Sequence, residues 1–399
     1  MIRIRSVSTT PQDAASASKL SGQSQVLIIG AGPAGCAAGM VLAQAGMDVC
    51  VVDRAQFPRD KVCGDAVSNG GLALLRELHA SDEVLARPHT LVTRASVVFP
   101  DGQRVDRDYD QPGMVIERYQ LDDALRVSLE RSGARLLQGV AIRHLLQDQG
   151  AVVGAEGPSI TWHAPITIAA DGPNSLALAA LAAERPRGPT LAVSSTAYMR
   201  GVSFPAGVNT ADHYLERELP MGYGWIFPDI LGRANVGVYQ RADAYKKSGH
   251  TLKEAFDAFL ARHPERFSNA TMDGALRTWS LPLSQAPHPI SGPGLLLAGD
   301  AGGFVDPLSG EGIWQALFTG VRAARTALDA LAQKRPLSRK DRLRYELACQ
   351  RSIGLPSRGK RALQHALTAM IDSGAYRSRS LRALLRAAYA GGVLEMTKH

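Results

Sequence analysis

"GAGPAG", residues 30–35, is the stretch that decides the fold of this chain. It follows the apolar run "QVLIIG" (25–30), which is typical of a buried parallel strand. It opens the small-residue segment "PAGCAAGMVLAQAG" (33–46), which predicts a helix, and "DVCVVD" (48–53) predicts a second strand. Together these segments predict a strand–helix–strand unit with a glycine-rich turn at its first corner.

The glycine-rich turn predicts a dinucleotide site. Its three glycines permit a tight turn, let a pyrophosphate approach the backbone and allow close helix–strand packing, and the helix N-terminus then faces the phosphates. Asp53 ends the second strand where an acid would bind ribose hydroxyls, which favours FAD or NAD over NADP. The alternative is a glycine turn that only packs against a sheet. The predicted binding residues at this end are Gly30, Gly32, Ala34, Gly35, Asp53 and Arg54.

Length and composition indicate a globular protein with more than one structural unit. The 399 residues, 45% hydrophobic and 21% charged, suffice for two domains or for one domain with a large insertion. We see no apolar run long enough to span a membrane. The polar residues 1–24 predict a flexible tail rather than a secretory signal, so we expect a cytoplasmic protein. The four cysteines show no metal-ligand spacing, which favours reduced thiols and no metal site.

The net charge of +8 gathers in the last third of the chain, in "KRPLSRKDRLRYELACQRSIGLPSRGKRAL" (334–363) and "YRSRSLRALLRAAY" (376–389). One interpretation is a set of solvated helix faces. The other is a basic surface that contacts a membrane surface or an acidic partner such as a carrier protein. Because the sequence lacks aromatic interleaving and any recognised binding module, nucleic acid is not an expected partner.

The remaining elements follow from periodicity and turn signals. Residues 134–170 alternate as a β-meander, and residues 190–285 are rich in β formers. "GLLLAGDAGG" (294–303) predicts a buried strand with a glycine turn, and the pattern is helical from about residue 310. Further predictions are helices over 65–80, 117–133 and 249–267 and a hairpin over 95–109 that turns at Asp101–Gly102.

"LLLAGDAGGFVDPLSGEGIWQAL" (295–317) resembles the second FAD fingerprint of the para-hydroxybenzoate hydroxylase-type flavoproteins. The resemblance implies that Asp300 binds the ribityl or ribose part of FAD. It also implies that a turn with Gly310, Gly312 and Ile313 begins a helix beneath the flavin, where the helix N-terminus stabilises negative charge on the reduced ring.

Two further segments resemble motifs of the same flavoproteins. "IAADGPNS" (168–175) is similar to their Asp-Gly motif and assigns Asp171 to the cofactor. "ERYQLDDAL" (117–125) is similar to a helix whose early arginine, here Arg118, reaches the cofactor. The motifs occur in the expected order over most of the chain.

"FPRDKVCGDAVS" (57–68) resembles the Lys-x-Cys-Gly-Gly/Asp segment of the geranylgeranyl reductase family. "MGYGWIFP" (221–228) and "ANVGVY" (234–239) resemble the aromatic strand of that family and the strand after it. Members reduce isolated C=C bonds of isoprenoid chains or act as related oxidoreductases. One departure is Asp65, where prenyl reductases often carry a second glycine. The two-tryptophan signature of flavin-dependent halogenases is absent from 221–228, which disfavours halogenation.

The resemblance implies an α/β fold in which a Rossmann-like FAD-binding domain is interleaved with an inserted antiparallel β-sheet substrate domain, followed by C-terminal helices. We assign 25–90, 111–185 and 286–335 to the FAD-binding domain, 91–110 and 186–285 to the substrate domain, and 336–399 to the C-terminal helical region.

Four residues are candidates for the chemistry. Cys63 is either a thiol that faces flavin or substrate, with Lys61 lowering its pKa, or a small apolar residue in a tight turn. Asp65 is either an acid near the site or, as we expect, the N-cap of the next helix. Tyr223 and Trp225 either line a substrate cavity or belong to the core of the sheet.

The sequence predicts an FAD-dependent oxidoreductase that acts on an apolar organic substrate, such as a lipid-like molecule, by C=C reduction with hydride from flavin N5. The alternative is a monooxygenase that uses oxygen at flavin C4a; an electron-transfer flavoprotein without its own substrate is disfavoured by the inserted domain. Because we find no second GxGxxG motif, NAD(P)H is expected only as a transient electron donor.

Overall fold

A six-stranded sheet forms the centre of the computed structural model, which describes residues 19–205, 209–284, 288–381 and 383. Five of its strands are parallel, and the short edge strand is antiparallel. The predicted strands within 25–30 and 48–53 are confirmed and are fully buried, as expected for strands covered on both faces. In spatial order the strands are Ser291–Gly292, Leu295–Leu297, Ile166–Ala169, Val26–Ile29, Val49–Asp53 and Arg135–Gln138.

Three helices cover this sheet: Pro33–Gln44, Arg118–Arg131 and Ile313–Ala332. The first and third pack closely because a side chain at Gly320 would meet the carbonyl oxygen of Ala34 at 2.2 Å. The late strand Leu295–Leu297 pairs with Ile166–Ala169, so the last third of the chain completes the sheet that the first third begins.

A four-stranded sheet lies beside the first, with Leu20–Gln23, Ile160–His163, Ala151–Glu156 and His144–Asp148 in spatial order. The prediction of a flexible tail through residue 24 is wrong for residues 20–23, which pair in parallel with residues 160–163. Trp162 explains the pairing, because its indole N–H donates to the Ser24 hydroxyl at 3.0 Å and its ring packs on Gly22. Residues 1–18 lie outside the described residues.

A nine-stranded sheet forms the predicted substrate region. It is antiparallel except that Thr210–Tyr214 runs parallel to Thr90–Val98. The hairpin over 95–109 is confirmed, but its strands extend beyond the predicted domain boundary at 110. In spatial order the strands are Thr271–Met272, Leu191–Arg200, Arg233–Arg241, Gly222–Pro228, Thr210–Tyr214, Thr90–Val98, Arg104–Val115 and Ala66–Val67, and Arg277–Pro282 also pairs with Leu191–Arg200.

Two predicted helices are shorter than the periodicity suggested. The helix predicted over 65–80 begins at Asn69, because Ala66–Val67 pairs with the sheet. The single helix predicted over 249–267 is two helices, Leu252–Arg262 and Pro264–Phe267, because Pro264 starts a new helix, and Gly249 in a left-handed conformation ends a separate helix before them. The remaining short helices are Asn69–Glu77, Ser81–Leu85, Ala177–Ala180, Ala242–Ser248, Leu252–Arg262 and Pro264–Phe267.

The C-terminal region is helical as far as it is described. Arg339–Cys349, a π-helical turn over Gln350–Gly354 and Leu355–Ser373 follow one another directly, and a short 3₁₀ turn covers Ala375–Arg377. The helix Leu355–Ser373 packs Met370 and Ile371 against Phe99 and Val105 of the large sheet. None of the helices in the described ranges has the length and apolar character needed to cross a bilayer.

Candidate functional site

The glycine-rich turn has the geometry of a phosphate-binding loop. Gly30 has a φ of +100°, and a Cβ there would lie 2.3 Å from the Ala170 carbonyl oxygen. A Cβ on Gly35 would lie 1.8 Å from the Gly30 carbonyl oxygen. Gly32 differs, because the nearest atom to its Cβ position is an Arg59 nitrogen at 4.0 Å. Gly30 and Gly35 therefore hold the turn together, while Gly32 and the neighbouring Ala34 border open space that a pyrophosphate could fill.

Asp53 stabilises this turn through both carboxylate oxygens. Oδ2 accepts from the Ala31 N–H at 2.7 Å and Oδ1 from the Ala55 N–H at 2.8 Å. Sequence reasoning predicted only a ribose contact and missed this role in ordering the backbone. Each carboxylate oxygen keeps a further lone pair, so Asp53, which lines the cavity with Arg54, can also accept a ribose hydroxyl.

The second cofactor segment lines the same cavity. Asp300, Gly310, Gly312 and Ile313 line it, and Ile313 begins the helix that packs on the first one. The Asp300 carboxylate lies 3.9 Å from the Lys61 ammonium.

Asp171 also lines the cavity, where its Oδ2 accepts from the Leu176 N–H at 2.9 Å. Burial raises its pKa. The structure therefore brings the predicted cofactor residues of both sequence ends to one cavity.

The turn that precedes Ile313 is fastened by the C-terminal helix. The Lys360 ammonium pairs with Asp306, and the Gln364 side-chain N–H donates to the Pro307 carbonyl at 3.0 Å. Asp306 Oδ1 in turn accepts from the N–H groups of Leu308 and Ser309 at 2.9 Å. Sequence reasoning assigned these helices no part in the site.

Arg118 lines the cavity, but its guanidinium is committed to Asp122. Two nitrogens donate to the two Asp122 oxygens, both at 2.7 Å, and Arg59 adds a third contact at 2.9 Å. These cations lower the pKa of Asp122 despite its burial. Arg118 is therefore part of a buried ion-pair cluster. Only the N–H groups of its guanidinium that do not donate to Asp122 can contact the cofactor.

Cys63 lies on the cavity wall and is packed against the hydrophobic core. Burial raises the pKa of its thiol, and this outweighs the nearby positive charges of Arg118 and Lys61. Lys61 does act to lower the pKa of Cys63, as the sequence suggested, but the effect of burial is larger. The raised pKa favours the protonated thiol over a reactive thiolate.

Asp65 is not an N-cap. Ser68 caps the helix by accepting from the Gly71 N–H at 3.2 Å. Asp65 is 1% exposed, lines the cavity and has a φ of +62°, a conformation that costs about 1 kcal/mol in a residue other than glycine. Its Oδ2 accepts from the Tyr198 hydroxyl at 2.5 Å and from the Asn235 amide at 2.8 Å. Burial raises its pKa to about 7, although these hydrogen bonds favour the ionised form.

Asn235 connects this carboxyl to the aromatic strand. Its amide nitrogen also donates to the Cys63 carbonyl at 2.9 Å, and its oxygen accepts from the Trp225 indole at 2.9 Å and from the Thr196 hydroxyl at 2.8 Å. The Cys63 loop is thereby tied to the substrate sheet. Asn235 lies in "ANVGVY", yet nothing in that stretch signalled its partners.

The aromatic strand forms one wall of a chamber. Tyr223, Trp225 and Phe227 alternate along it and line the cavity. The Tyr223 hydroxyl donates to the Ser309 carbonyl in the turn before Ile313, and the Tyr239 hydroxyl donates to the Pro307 carbonyl at 3.0 Å. The structure favours both interpretations of this strand, because the rings are sheet core and cavity wall at once.

His213 is a polar group in this chamber that sequence reasoning missed. Its ring centroid lies 5.4 Å from that of Tyr223 and 5.2 Å from that of Phe227. Its Nδ1 is buried and, within the described part of the chain, has no hydrogen-bond partner. Burial lowers its pKa, so the ring is neutral at neutral pH.

One cavity of about 930 Å³ is lined by His213 and by all the site residues predicted from the sequence except Gly35. One side holds the two cofactor segments, and the other side is a chamber between the large sheet and the C-terminal helix. Aliphatic and aromatic residues that share the wall of the chamber are Val92, Ala95, Val97, Met114, Trp279, Leu281, Leu363 and Leu367. The arrangement can place a dinucleotide next to an apolar substrate.

Residues 23–334 match a family model described as an FAD-binding domain. A menaquinone reductase of Mycolicibacterium smegmatis is 31% identical over 318 residues, which cover 76% of both chains. A digeranylgeranylglycerophospholipid reductase of Methanopyrus kandleri is 32% identical over 317 residues, covering 77% of this chain and 78% of the relative. The chain belongs to the geranylgeranyl reductase-like family of FAD-dependent oxidoreductases.

The fold is shared more widely than the family. A geranylgeranyl bacteriochlorophyll reductase-like protein of Thermoplasma acidophilum superposes with a TM-score of 0.74 at 23% identity, over 88% of this chain and 91% of that protein. A flavin-dependent brominase superposes with a TM-score of 0.76 at 19% identity, over 92% and 93%. At these identities the likeness shows the fold alone.

FAD is the cofactor, and the residues fit it. The open side of Gly32 suits the pyrophosphate, and the helix N-terminus at Ile313 suits the flavin ring. Within the described ranges, no cluster of His, Cys, Asp and Glu side chains could hold a metal ion.

Proposed function

We propose that this oxidoreductase reduces isolated C=C bonds in an isoprenoid chain. The observation that carries the proposal is the single cavity in which the cofactor segments open into an apolar chamber. When bound and reduced, FAD would supply a hydride to one carbon of the double bond. The other carbon takes a proton, and NAD(P)H is proposed as the donor that reduces FAD again. The relative named for a digeranylgeranyl lipid supports this substrate class.

The chain's own residues supply binding, water exclusion and the proton. Phe227, Trp279 and Leu281 offer an apolar wall that holds a hydrocarbon chain and excludes water. The Cys63 thiol, kept protonated by burial, holds a proton at Sγ on the cavity wall. Asp65 is joined to the same loop through Asn235 and holds a second proton up to about pH 7.

The test is turnover with and without oxygen. The holoenzyme, reduced with dithionite under strict anaerobiosis, is mixed with a geranylgeranyl lipid, and the product is analysed by mass spectrometry. We expect a product that gains two hydrogens per reduced bond and that forms in the absence of oxygen. A product that gains an oxygen atom, and forms only when oxygen is admitted, would establish the monooxygenase alternative.

Cys63→Ala tests whether the Cys63 thiol supplies the proton. Because its thiol makes no contact that holds the glycine-rich turn, we expect FAD binding to persist while reduction slows by roughly 10-fold or more. Unchanged reduction in this variant would move the proton source to another group.

A further inference from the structure

The C-terminal helices carry an exposed surface that the site does not use. Three leucines are among its most exposed large side chains: Leu343 at 44%, Leu347 at 53% and Leu355 at 52%. Exposed basic residues accompany them along the same helices. We call this set the basic–leucine strip; it comprises Leu343, Leu347 and Leu355 with Arg339, Lys340, Arg344, Arg351 and Arg358.

The π-helical turn brings the three leucines into line. In an uninterrupted α-helix, Leu355 would be rotated by roughly 80° from Leu347, since eight residues turn through about 800°. The π-helical turn over Gln350–Gly354 accommodates one extra residue, which subtracts about 100°. Leu355 therefore returns to within about 20° of Leu347, and Leu343 lies one turn before Leu347. The three helical segments follow one another without a break, through residues in right-handed helical conformation, so the strip lies along one continuous helical segment.

The charge of this surface has one sign. Between residues 336 and 369 the only acidic residues are Asp341 and Glu346. Asp341 is buried and pairs with Arg335, and Glu346 accepts from the Ser291 hydroxyl at 2.7 Å. Neither carboxylate is an exposed part of the strip, so the exposed charged residues of this segment are all basic and accompany a line of leucines.

We propose that the basic–leucine strip docks on an anionic lipid bilayer. A line of apolar side chains with flanking cations is the pattern of a helix that lies in the plane of a membrane surface. Apolar side chains spread over several consecutive helical turns suit an extended lipid surface better than a compact acidic protein, for which a cluster of contacts would be expected. The same C-terminal helix lines the apolar chamber with Leu363 and Leu367, so docking brings the chamber wall next to the lipid.

The test is co-sedimentation of the FAD-loaded full chain with vesicles, which needs no turnover. We expect binding to vesicles of phosphatidylcholine with phosphatidylglycerol, weaker binding to phosphatidylcholine alone, and loss of binding at high salt. The variant L343S/L347S/L355S should bind at least about 10-fold more weakly. Because each basic residue contributes about 5-fold, R344E/R351E should lose about 25-fold or more.

Matched controls are Leu85→Ser and Arg187→Glu, which change an exposed leucine (48%) and an exposed arginine outside the strip. Both should bind as the unchanged chain does. FAD absorbance and thermal unfolding show whether each variant is folded. If L343S/L347S/L355S does not fold, the vesicle binding of R344E/R351E tests the proposal instead. Absence of vesicle binding, strip variants that bind as tightly as the unchanged chain, or binding only to an acidic acyl-carrier protein would overturn the proposal. Because the experiment measures vesicle binding and not turnover, its result can overturn the docking proposal without affecting the proposed C=C reduction. A failed reduction assay would likewise leave the docking proposal intact.

Discussion

The two ends of the cavity are built on different principles. The cofactor end is made of backbone: Gly30, Gly32 and Gly35 shape one turn, and the turn before Ile313 shapes the other. The substrate end is made of side chains from segments far apart in the chain, such as the hydrogen bonds of Asn235 to the Cys63 loop and to Trp225. The cofactor end therefore depends on space around its backbone atoms, while the substrate end depends on polar side chains that have hydrogen-bond partners.

Gly35→Ala should have the largest effect. Its Cβ would lie 1.8 Å from the Gly30 carbonyl oxygen, a backbone atom that cannot move without opening the turn. We expect a loss of at least about 3 kcal/mol in the free energy of unfolding, together with loss of FAD binding. Denaturant unfolding and FAD fluorescence measure the two.

Gly32→Ala is the matched control for that prediction. Its Cβ would border the cavity rather than backbone, so the apoprotein should unfold within about 1 kcal/mol of the unchanged chain, while FAD affinity falls by about 10-fold or more. Equal destabilisation by the two alanines would contradict the distinction between a packing glycine and a ligand-facing one.

Asn235→Leu should have the next largest effect, at the other end. The variant leaves the Trp225 indole N–H, the Cys63 carbonyl and the Asp65 carboxyl each without one partner. We expect a cost of about 2–4 kcal/mol in the free energy of unfolding. Thr196→Val removes one hydroxyl, which donates to the same amide oxygen and also to the Val236 carbonyl at 3.1 Å, and should cost only about 1 kcal/mol. If both variants cost the same, the contacts of Asn235 with Trp225, Cys63 and Asp65 add nothing to stability.

Asp65→Asn tests the charge of that network. The unfolded pKa of an aspartate is about 3.9, and burial raises the folded value to about 7. The folded state therefore holds a proton that the unfolded state has lost, so the carboxyl's contribution to stability is full below about pH 4 and is lost as the pH rises through 7. We expect the asparagine variant to gain about 2–3 kcal/mol relative to the unchanged chain between pH 5 and pH 8, measured by denaturant unfolding.

Tyr198→Phe sharpens the same measurement. The Tyr198 hydroxyl favours the ionised form of Asp65, so its removal should raise the Asp65 pKa and move the pH dependence upward. A pH dependence that is the same in all three proteins would assign the titration to another group, such as the buried Glu311, whose pKa is also raised to about 7.

Sequence reasoning reached the cofactor end because its signals are local. The glycine turn, Asp53 and the motif around Asp300 each lie within a few residues of the structure they specify. The start of the helix predicted from residue 65 was wrong for the opposite reason: residues 66–67 pair with a strand almost fifty positions later, and that pairing overrides local periodicity, so the helix begins at Asn69. Likewise, no spacing in "ANVGVY" could show that Asn235 would meet Asp65, because their contact depends on the tertiary pairing of the large sheet.

His213→Phe should have the smallest effect on the fold and a selective one on binding. Phenylalanine fills a similar volume among Tyr223 and Phe227 and removes the unpartnered Nδ1, so stability should change by less than about 1 kcal/mol and FAD affinity should hold. If a polar group of the substrate binds this ring, one hydrogen bond of about 1 kcal/mol is lost, and KM should rise by about 5-fold with kcat unchanged. To test this contact, KM is measured in both proteins for two substrates that differ only in the polar head. An equal KM for both substrates in both proteins would show that the head lies elsewhere and that His213 contacts only hydrocarbon.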